Sequence, residues 1–440
     1  MPLVEVGTVR IANLYPVDLR FPLPAGVGSD ALHTNPVYSF ATCIMQSDSG
    51  LTGSGFSLTL GAGTDLVCAA IGYYATTLRD AEVAEVMEGL GTWWRRLAND
   101  GQFRWLGPQK GVVHLALAAV VGAVVDLWAQ EQQLPLWQAL LEMPSEALLN
   151  LIDFSTIEDY LPRDEALDLL NKHALSQSER DEQIARGYPA YDTSVGWLGY
   201  DIAELQRNVV AARARGFQAV KVKVGLPDLA TDLARLAAVR QAVGDDTLVM
   251  IDANQRWGTS DAIRAGRSLA AYSPFWFEEP VHPDDLTGYV TVRSALAPMQ
   301  IAGGEHIPNQ VVFKNFFQSG ALDIAQPDVV RLGGLPEYLA VALMAAKAGA
   351  VVLPHAGDMG QIHQHLIYFS RCRLGMRELP LEMIPHLAEH FAEPCVVRDG
   401  RYLAPRTPGS SSRLRPDTIR RFARGVAREI ETIADVLEAG

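Results

Sequence analysis

The sequence predicts an α/β fold: a (β/α)8-type, TIM-like barrel with an α+β capping domain built from the N-terminal region and the C-terminal tail. Three observations predict it. From about residue 190, eight short β-rich runs alternate with amphipathic helical runs, the pattern of a closed parallel sheet. The first 150 residues instead hold strand-like runs followed by helical runs, as in an α+β unit. Charged residues recur where the barrel strands end. A chain of 440 residues also exceeds the roughly 250–300 over which a single core grows. The expected division is a cap over 1–150, a helical linker over 151–187, the barrel over 188–392 and a segment over 393–440 that returns to the cap.

Taken in order, the runs TVRIANLYPVDLRF, YSFATCIMQS and LTGSGFSLTL between Thr8 and about Leu60 follow the two-residue period of strands. SDALHTNP and SDSG turn chemistry separates them, which predicts an antiparallel meander. Gly53–Ser54–Gly55 lacks the third glycine of a dinucleotide-binding turn and is taken as turn chemistry. An open doubly wound sheet, the competing architecture, calls for such a turn after an early strand, and none is present. From Leu66 to Leu141 the period becomes helical. Its most apolar part, Gly111–Val125, stops at Asp126, short of the roughly 20 residues that span a bilayer, and is expected to be a buried helix. A polar helical stretch covers Pro162 to about Arg186. The barrel strands are expected at 190–195, 219–224, 247–252, 275–279, 300–305, 322–327 and 350–355, with a weaker one at 379–383. After them VVRDGRYLAP, from Val396, has the look of a last hairpin returning to the cap.

Composition excludes several partners. With 37 Lys+Arg against 51 Asp+Glu, a net charge of −14 and no basic run, the chain is suited neither to nucleic acid nor to an anionic membrane. The four cysteines, Cys43, Cys68, Cys372 and Cys395, form no Cys-x-x-Cys pair, so neither a disulfide framework nor a thiolate zinc site is indicated. The first residues lack the basic start and unbroken apolar core of a secretory signal. A cytoplasmic location is the expectation.

Side chains that do chemistry in such a barrel stand at the C-terminal ends of its strands. Asp252, the Glu278–Glu279 pair and Glu305 end three consecutive predicted strands, 26 residues (252 to 278) and 27 residues (278 to 305) apart. Carboxylates converging on one rim repel one another unless they hold a cation, and hard oxygen donors without cysteine favour Mg²⁺, with Mn²⁺ a possible substitute. Either Glu278 or Glu279 could face inward. Lys221 and Lys223 lie two apart in AVKVKV, so both point to one face of the strand. Burial beside a like charge lowers a lysine pKa, as a general base requires. His355 ends AVVLPH and Asp328 follows LDIAQP one βα unit earlier, an acid/base dyad in which the carboxylate orients the imidazole. His363 and His365 point about 200° apart on a helix, which predicts a supporting role at the rim and not a shared metal. His386 and His390 are expected to be surface or packing residues. The chain has no nucleophile elbow and no P-loop. A cation between a lysine and a His–Asp dyad suits removal of a proton α to a carboxylate, followed by racemisation or by loss of a β-hydroxyl.

These motifs resemble the mandelate racemase branch of the enolase superfamily: K-x-K at Lys221/Lys223, D-x-N at Asp252/Asn254, F-E-E-P around Glu278, G-E-H around Glu305, Q-P-D at Asp328 and P-H at His355. GSDALHTNPVYS, FRWLGPQKGVVHLALAAVV, GYPAYDTSVGWLGY, DANQRW, NQVVFK and GRYLAP are most similar to the L-fuconate dehydratases. The resemblance implies Mg²⁺ on Asp252, Glu278 and Glu305. Lys223 would take the C2 proton of a small anionic sugar acid, and His355, with Asp328, would assist loss of the 3-hydroxyl to give a 2-keto-3-deoxy acid. Lys221, Asn254, Glu382, His306, Trp197, Tyr38 and Asp30 would contact the substrate or polarise its surroundings. It also implies a homo-oligomer. L-fuconate is the expected substrate; L-galactonate, L-lyxonate, D-arabinonate or an aldarate are alternatives, as are a racemase or cycloisomerase and, in another class, a noncatalytic sugar-acid binder. Departures fall at the mouth: AGDMGQIHQHL after His355, Val37 where the family pattern is acidic, and a GAG at Gly61–Gly63 without a basic residue.

Overall fold

The three strand-like runs of the cap pair in sequence order. In the computed structural model, which describes residues 9–107 and 109–440, β1 (Ile11–Pro22), β2 (Val37–Ser47) and β3 (Thr52–Thr59) form an antiparallel meander. The expected start at Thr8, and Pro108 of the FRWLGPQKG stretch, lie outside the described residues.

Gly53 and Gly55 are not in a turn. They lie within β3 where it crosses the helix Val112–Glu131, and a Cβ on Gly55 would stand 2.2 Å from the Ala119 carbonyl oxygen, on Gly53 2.3 Å from that of Ala123. Close approach of two backbones is what excludes a side chain here. The helix does not stop at Asp126 either. It runs 20 residues, long and apolar enough by composition to cross a membrane, yet most of it is buried in the protein. Asp126 is tolerated because its carboxylate is satisfied: Oδ2 accepts from Ser54 N and Oδ1 from the amide and hydroxyl of Ser410.

Eight parallel strands follow: β4 (Tyr188–Asp192), β5 (Ala219–Lys223), β6 (Leu248–Asp252), β7 (Trp276–Glu278), β8 (Gln300–Gly303), β9 (Ile324–Ala325), β10 (Val351–Val352) and β11 (Leu381–Met383). Pairing is continuous from β4 to β10, and β11 pairs back onto β4. Across the remaining seam the Gly357 amide donates to the Glu382 carbonyl (3.0 Å). Helices join successive strands, so both sides of each strand are covered, and Val220 and Val222 on one side of β5 are as buried as Lys221 on the other. The strands end earlier than the β-rich runs suggest. Glu279, Glu305, Asp328 and His355 therefore stand in the loops just past their strands, at the barrel mouth.

The hairpin from Val396 does not return to the cap. Its strands, β12 (Val397–Arg398) and β13 (Arg401–Tyr402), add to the barrel through β4, with Pro189 opposite Arg401. The return comes later. Leu136 N donates to Gly409 O, Ser410 is held by Asp126, and β14 (Ala423–Arg424) pairs with β1.

Candidate active site

The strand ends and the cap line a pocket open to solvent whose wall includes Lys223, Asn254, Glu305, His306 and His355 from the barrel and Asp30, His33, Tyr38, Leu58 and Leu60 from the cap. Lys221, Asp252, Glu278 and Glu382 lie beneath it, each at most 1% exposed.

Lys221 Nζ donates to Glu278 Oε1 (2.7 Å) and lies 2.6 Å from Glu382 Oε1 and 3.5 Å from Asp252 Oδ2. Lys223 Nζ donates to Asp252 Oδ2. The lysine pKa values therefore move opposite to the expectation. Burial works against both ammonium groups, but Glu278 and Glu382 hold Lys221 well above its ordinary value, and Asp252 holds Lys223 above its own. Attraction to carboxylates on neighbouring strands outweighs desolvation and the repulsion between the lysines. Glu278 is the inward member of its pair. Its Oε2 accepts from Trp276 Nε1 (3.1 Å) and Gln326 Nε2 (2.9 Å), and burial among Asp252, Glu382 and Glu305, opposed by Lys221, pushes it up to about 8. Glu279 turns instead to His306 Nδ1 (2.9 Å) and Gln255 Nε2 (2.9 Å).

The dyad forms. His355 Nδ1 is 2.9 Å from Asp328 Oδ2, and its Nε2 is 2.8 Å from Glu305 Oε2. A carboxylate on each ring nitrogen favours the imidazolium; burial opposes that charge, but Glu305 and Asp328 raise His355 well above its usual value. Glu305 is lowered well below its ordinary value: burial opposes this, and His355 and His306 prevail. His306 is likewise raised to about 10, burial being overcome by Glu279 and Glu305.

Among the described residues, donor atoms within 4.8 Å of one another that could share a metal belong to Glu279, Glu305 and His306. The His306 imidazolium already accounts for that grouping, since it pairs with both carboxylates. Asp252 and Glu278 each pair with a lysine. The donor set still fits a hard divalent cation. Asp252, Glu278, Glu305 and Glu382 are four acids against Lys221, Lys223 and the His355 imidazolium, and Asn254 Oδ1, Gln326 Oε1 and Glu382 Oε2 are buried oxygens without a hydrogen-bond partner.

The proposed substrate contacts are brought to the same cavity by different means. Trp197 rides on a loop whose carbonyls at Gly196, Trp197 and Tyr200 accept from buried Arg235. Its Nε1 donates to His386 Nε2 (3.1 Å), whose ring lies 6.5 Å from that of Tyr38. His386 is thus not merely a surface residue; burial lowers it to about 4, which keeps it an acceptor. His390 is a packing residue, stacked on Phe21. Asp30 is held by His33 Nδ1 and by the amides of Leu32 and His33. The segment from Gly53 to Gly63 is mostly strand β3, and of it only Leu58 and Leu60 reach the cavity.

Sequence reasoning missed Gln326 and Thr193, which donate to Glu278 and Glu382, and Gln255. It also missed Arg331, which joins the Glu305 carbonyl (3.0 Å) to the Leu58 carbonyl of the cap (3.1 Å). A signal existed for Gln255 and Gln326, which neighbour named motif residues. Asn254, Gln255, Glu279 and Ala356 all have φ between 41° and 64°, and such backbone strain in non-glycine residues gathers at functional sites.

Residues 204–418 match the family described as "Enolase C-terminal domain-like". The crystal structure of human mitochondrial enolase superfamily member 1 superposes with a TM-score of 0.93 at 38% identity, covering 98% of this chain and 99% of that one. The chain belongs to the enolase superfamily. The L-galactonate dehydratase of Hypocrea jecorina is 39% identical over 426 residues, 95% of this chain and 94% of that protein. L-talarate/galactarate dehydratase from Salmonella typhimurium LT2, solved with Mg and L-lyxarohydroxamate, superposes with a TM-score of 0.77 at 26% identity, covering 97% and 95% of the two chains. Neither full-length relative is an L-fuconate dehydratase by name.

Proposed function

We propose that this enolase superfamily member is a Mg²⁺-dependent sugar-acid dehydratase, a hydro-lyase that converts an aldonate to its 2-keto-3-deoxy acid. The observation that carries this reading is that Lys223 and the His355–Asp328 dyad, on different strands, face one cavity above buried carboxylates. The names of the two dehydratase relatives and the magnesium in the Salmonella structure support it. Asp252, Glu278 and Glu305 would hold the cation. When bound, magnesium supplies positive charge opposite the carboxylate oxygens on which enediolate charge gathers, and its charge lowers the proton affinity of neighbouring Lys223.

The chain's own groups then divide the work. Lys223 Nζ, released from Asp252 as the free amine, takes the C2 proton. His355 enters as the imidazolium and gives a proton to the departing 3-hydroxyl, which leaves as water. Asp328 holds the His355 ring and stabilises its charge. Lys221 and Asn254 orient the substrate carboxylate, and the enol product ketonises.

L-fuconate remains the substrate we favour, because its C6 is a methyl group and Leu32, Leu58, Leu60, Met359 and Ile384 give the cavity an apolar wall. L-galactonate differs by one hydroxyl at that end. Arg331 on the same wall supports a second reading, an aldarate whose far carboxylate meets the guanidinium. Incubating the protein with Mg²⁺ and each acid sugar, and scoring 2-keto-3-deoxy product, tests this. Failure of every aldonate and aldarate ends the dehydratase reading, and an epimer in place of the keto acid would make the protein a racemase. A homo-oligomer in the cytoplasm is also proposed, the first checked by light scattering and the second by fractionation.

A further inference from the structure

His363 is buried completely and takes no part in the chemistry just described. Its ring nevertheless touches both loops that carry the dyad. Nε2 accepts from the amide of Val329 (2.9 Å), the residue after Asp328, and Nδ1 lies 3.1 Å from the carbonyl oxygen of Ala356, the residue after His355. An amide donor at one nitrogen and a carbonyl acceptor at the other are satisfied together by a single tautomer, with its proton on Nδ1. Nε2 is also 3.2 Å from Asp328 Oδ1. In that tautomer it has no proton to offer the carboxylate, which takes the Val330 amide instead (3.0 Å).

Two features show that the loops need such a tie. Ala356 has a φ of 49°, a left-handed conformation costly for a residue with a Cβ and held only where neighbours enforce it. Gly360 leaves room for the ring, since a Cβ there would stand 2.7 Å from His363 Nδ1 and Cε1. We infer that His363 is a positioning residue: by bridging the β9 and β10 loops it sets the distance and direction of His355 toward Asp328, leaving His355 Nε2 aimed at the cavity. This rests on the dehydratase reading for its consequence, but its geometry does not.

Because the tie acts on His355 and not on Lys223, its loss separates two steps that a general loss of structure would slow together. His363→Phe keeps the size of the ring and removes both nitrogens. His363→Gln keeps a donor and an acceptor. With an acid sugar that the wild type dehydrates, the Phe variant is expected to lose about 10²-fold in kcat for dehydration, as small misplacements of a reacting group do. C2–H exchange with solvent deuterium and KM should stay within about threefold, and the Gln variant should recover part of the rate. Equal loss of exchange and dehydration, or a lower Tm with both rates intact, overturns the inference.

A second measurement needs no substrate. In protein labelled with 15N-histidine, His363, assigned by its absence from the Gln variant, should show a protonated Nδ1 and an unprotonated Nε2, and the His355 ring signals should shift in either variant. A protonated Nε2 on His363, or unmoved His355 signals, overturns the inference even if the Phe variant does not fold. If no acid sugar is dehydrated by the wild type, the function proposed above fails, while this measurement still decides the role of His363.

Discussion

Lys221 Nζ lies 2.6 Å from Glu382 Oε1, a buried ion pair that joins strand β5 to strand β11 across β4. The same ammonium donates to Glu278 on β7, so one cation ties strands on both sides of it. Lys221→Met keeps much of the side chain's volume and leaves Glu278 and Glu382 without that partner. Removing one member of a buried pair strands the other charge, at a cost on the order of 3–5 kcal/mol. Thermal unfolding in EDTA should show a large fall in Tm, and an unchanged Tm would mean that the pair contributes nothing to the closed barrel.

The excess of buried acid predicts that a divalent cation stabilises the fold. A ligand that binds only the native state adds about 2.7 kcal/mol at one hundred times its Kd, so Mg²⁺ should raise the Tm of the wild type and EDTA should reverse the effect. Asp252→Asn and Glu305→Gln should each abolish most of the rise. If Glu279→Gln abolishes it and Glu278→Gln does not, the cation sits on the Glu279, Glu305 and His306 grouping instead.

Much of this site was legible because a parallel barrel turns spacing into position. Asp252, Glu278, Glu305, Asp328 and His355 each follow an apolar β run, and that alone places them at one rim. What sequence periodicity does not contain is the partner across the barrel. The Lys221 pKa depends on Glu278 and Glu382, which lie 57 and 161 residues after it (278 − 221 and 382 − 221). Thr193, Gln326 and His363 are ordinary polar residues until tertiary pairing gives them a carboxylate or a loop to hold. The Gly53–Gly55 pair failed for a different reason: a turn and a close crossing of strand and helix both call for glycine.

Asp358, in the loop that departs from the family pattern, predicts a pH dependence. Its Oδ1 accepts from Ile384 N (2.7 Å), its Oδ2 is buried without a partner, and burial, opposed by the Ile384 amide and reinforced by Glu382, pushes it up to about 7. The folded pKa lies above the unfolded value near 4, so the native state binds the proton more tightly. The resulting stability is fully present below about pH 4 and is lost as pH rises through 7. Asp358→Asn keeps the acceptor for Ile384 and removes the charge. It should stabilise the protein by on the order of 4 kcal/mol at pH 8 and by roughly a third of that at pH 5, and a gain equal at both pH values would show that Asp358 ionises freely in the fold.

Lys223 and His355 line the same cavity but are assigned different bonds, which makes them separable. Lys223→Ala removes the group that takes the C2 proton, so both deuterium exchange at C2 and dehydration should fall by at least about 10³-fold, within the range that proton transfer by a placed base supplies. His355→Asn leaves Lys223 in place and removes the acid for the 3-hydroxyl, so exchange should persist while dehydration falls. Persistent fast exchange in Lys223→Ala would reverse the assignment and make His355 the base. Its imidazolium would then have to lose a proton held between Glu305 and Asp328, as the Lys223 ammonium must lose one held by Asp252, so the exchange measurement and not the resting ion pairs decides between the two.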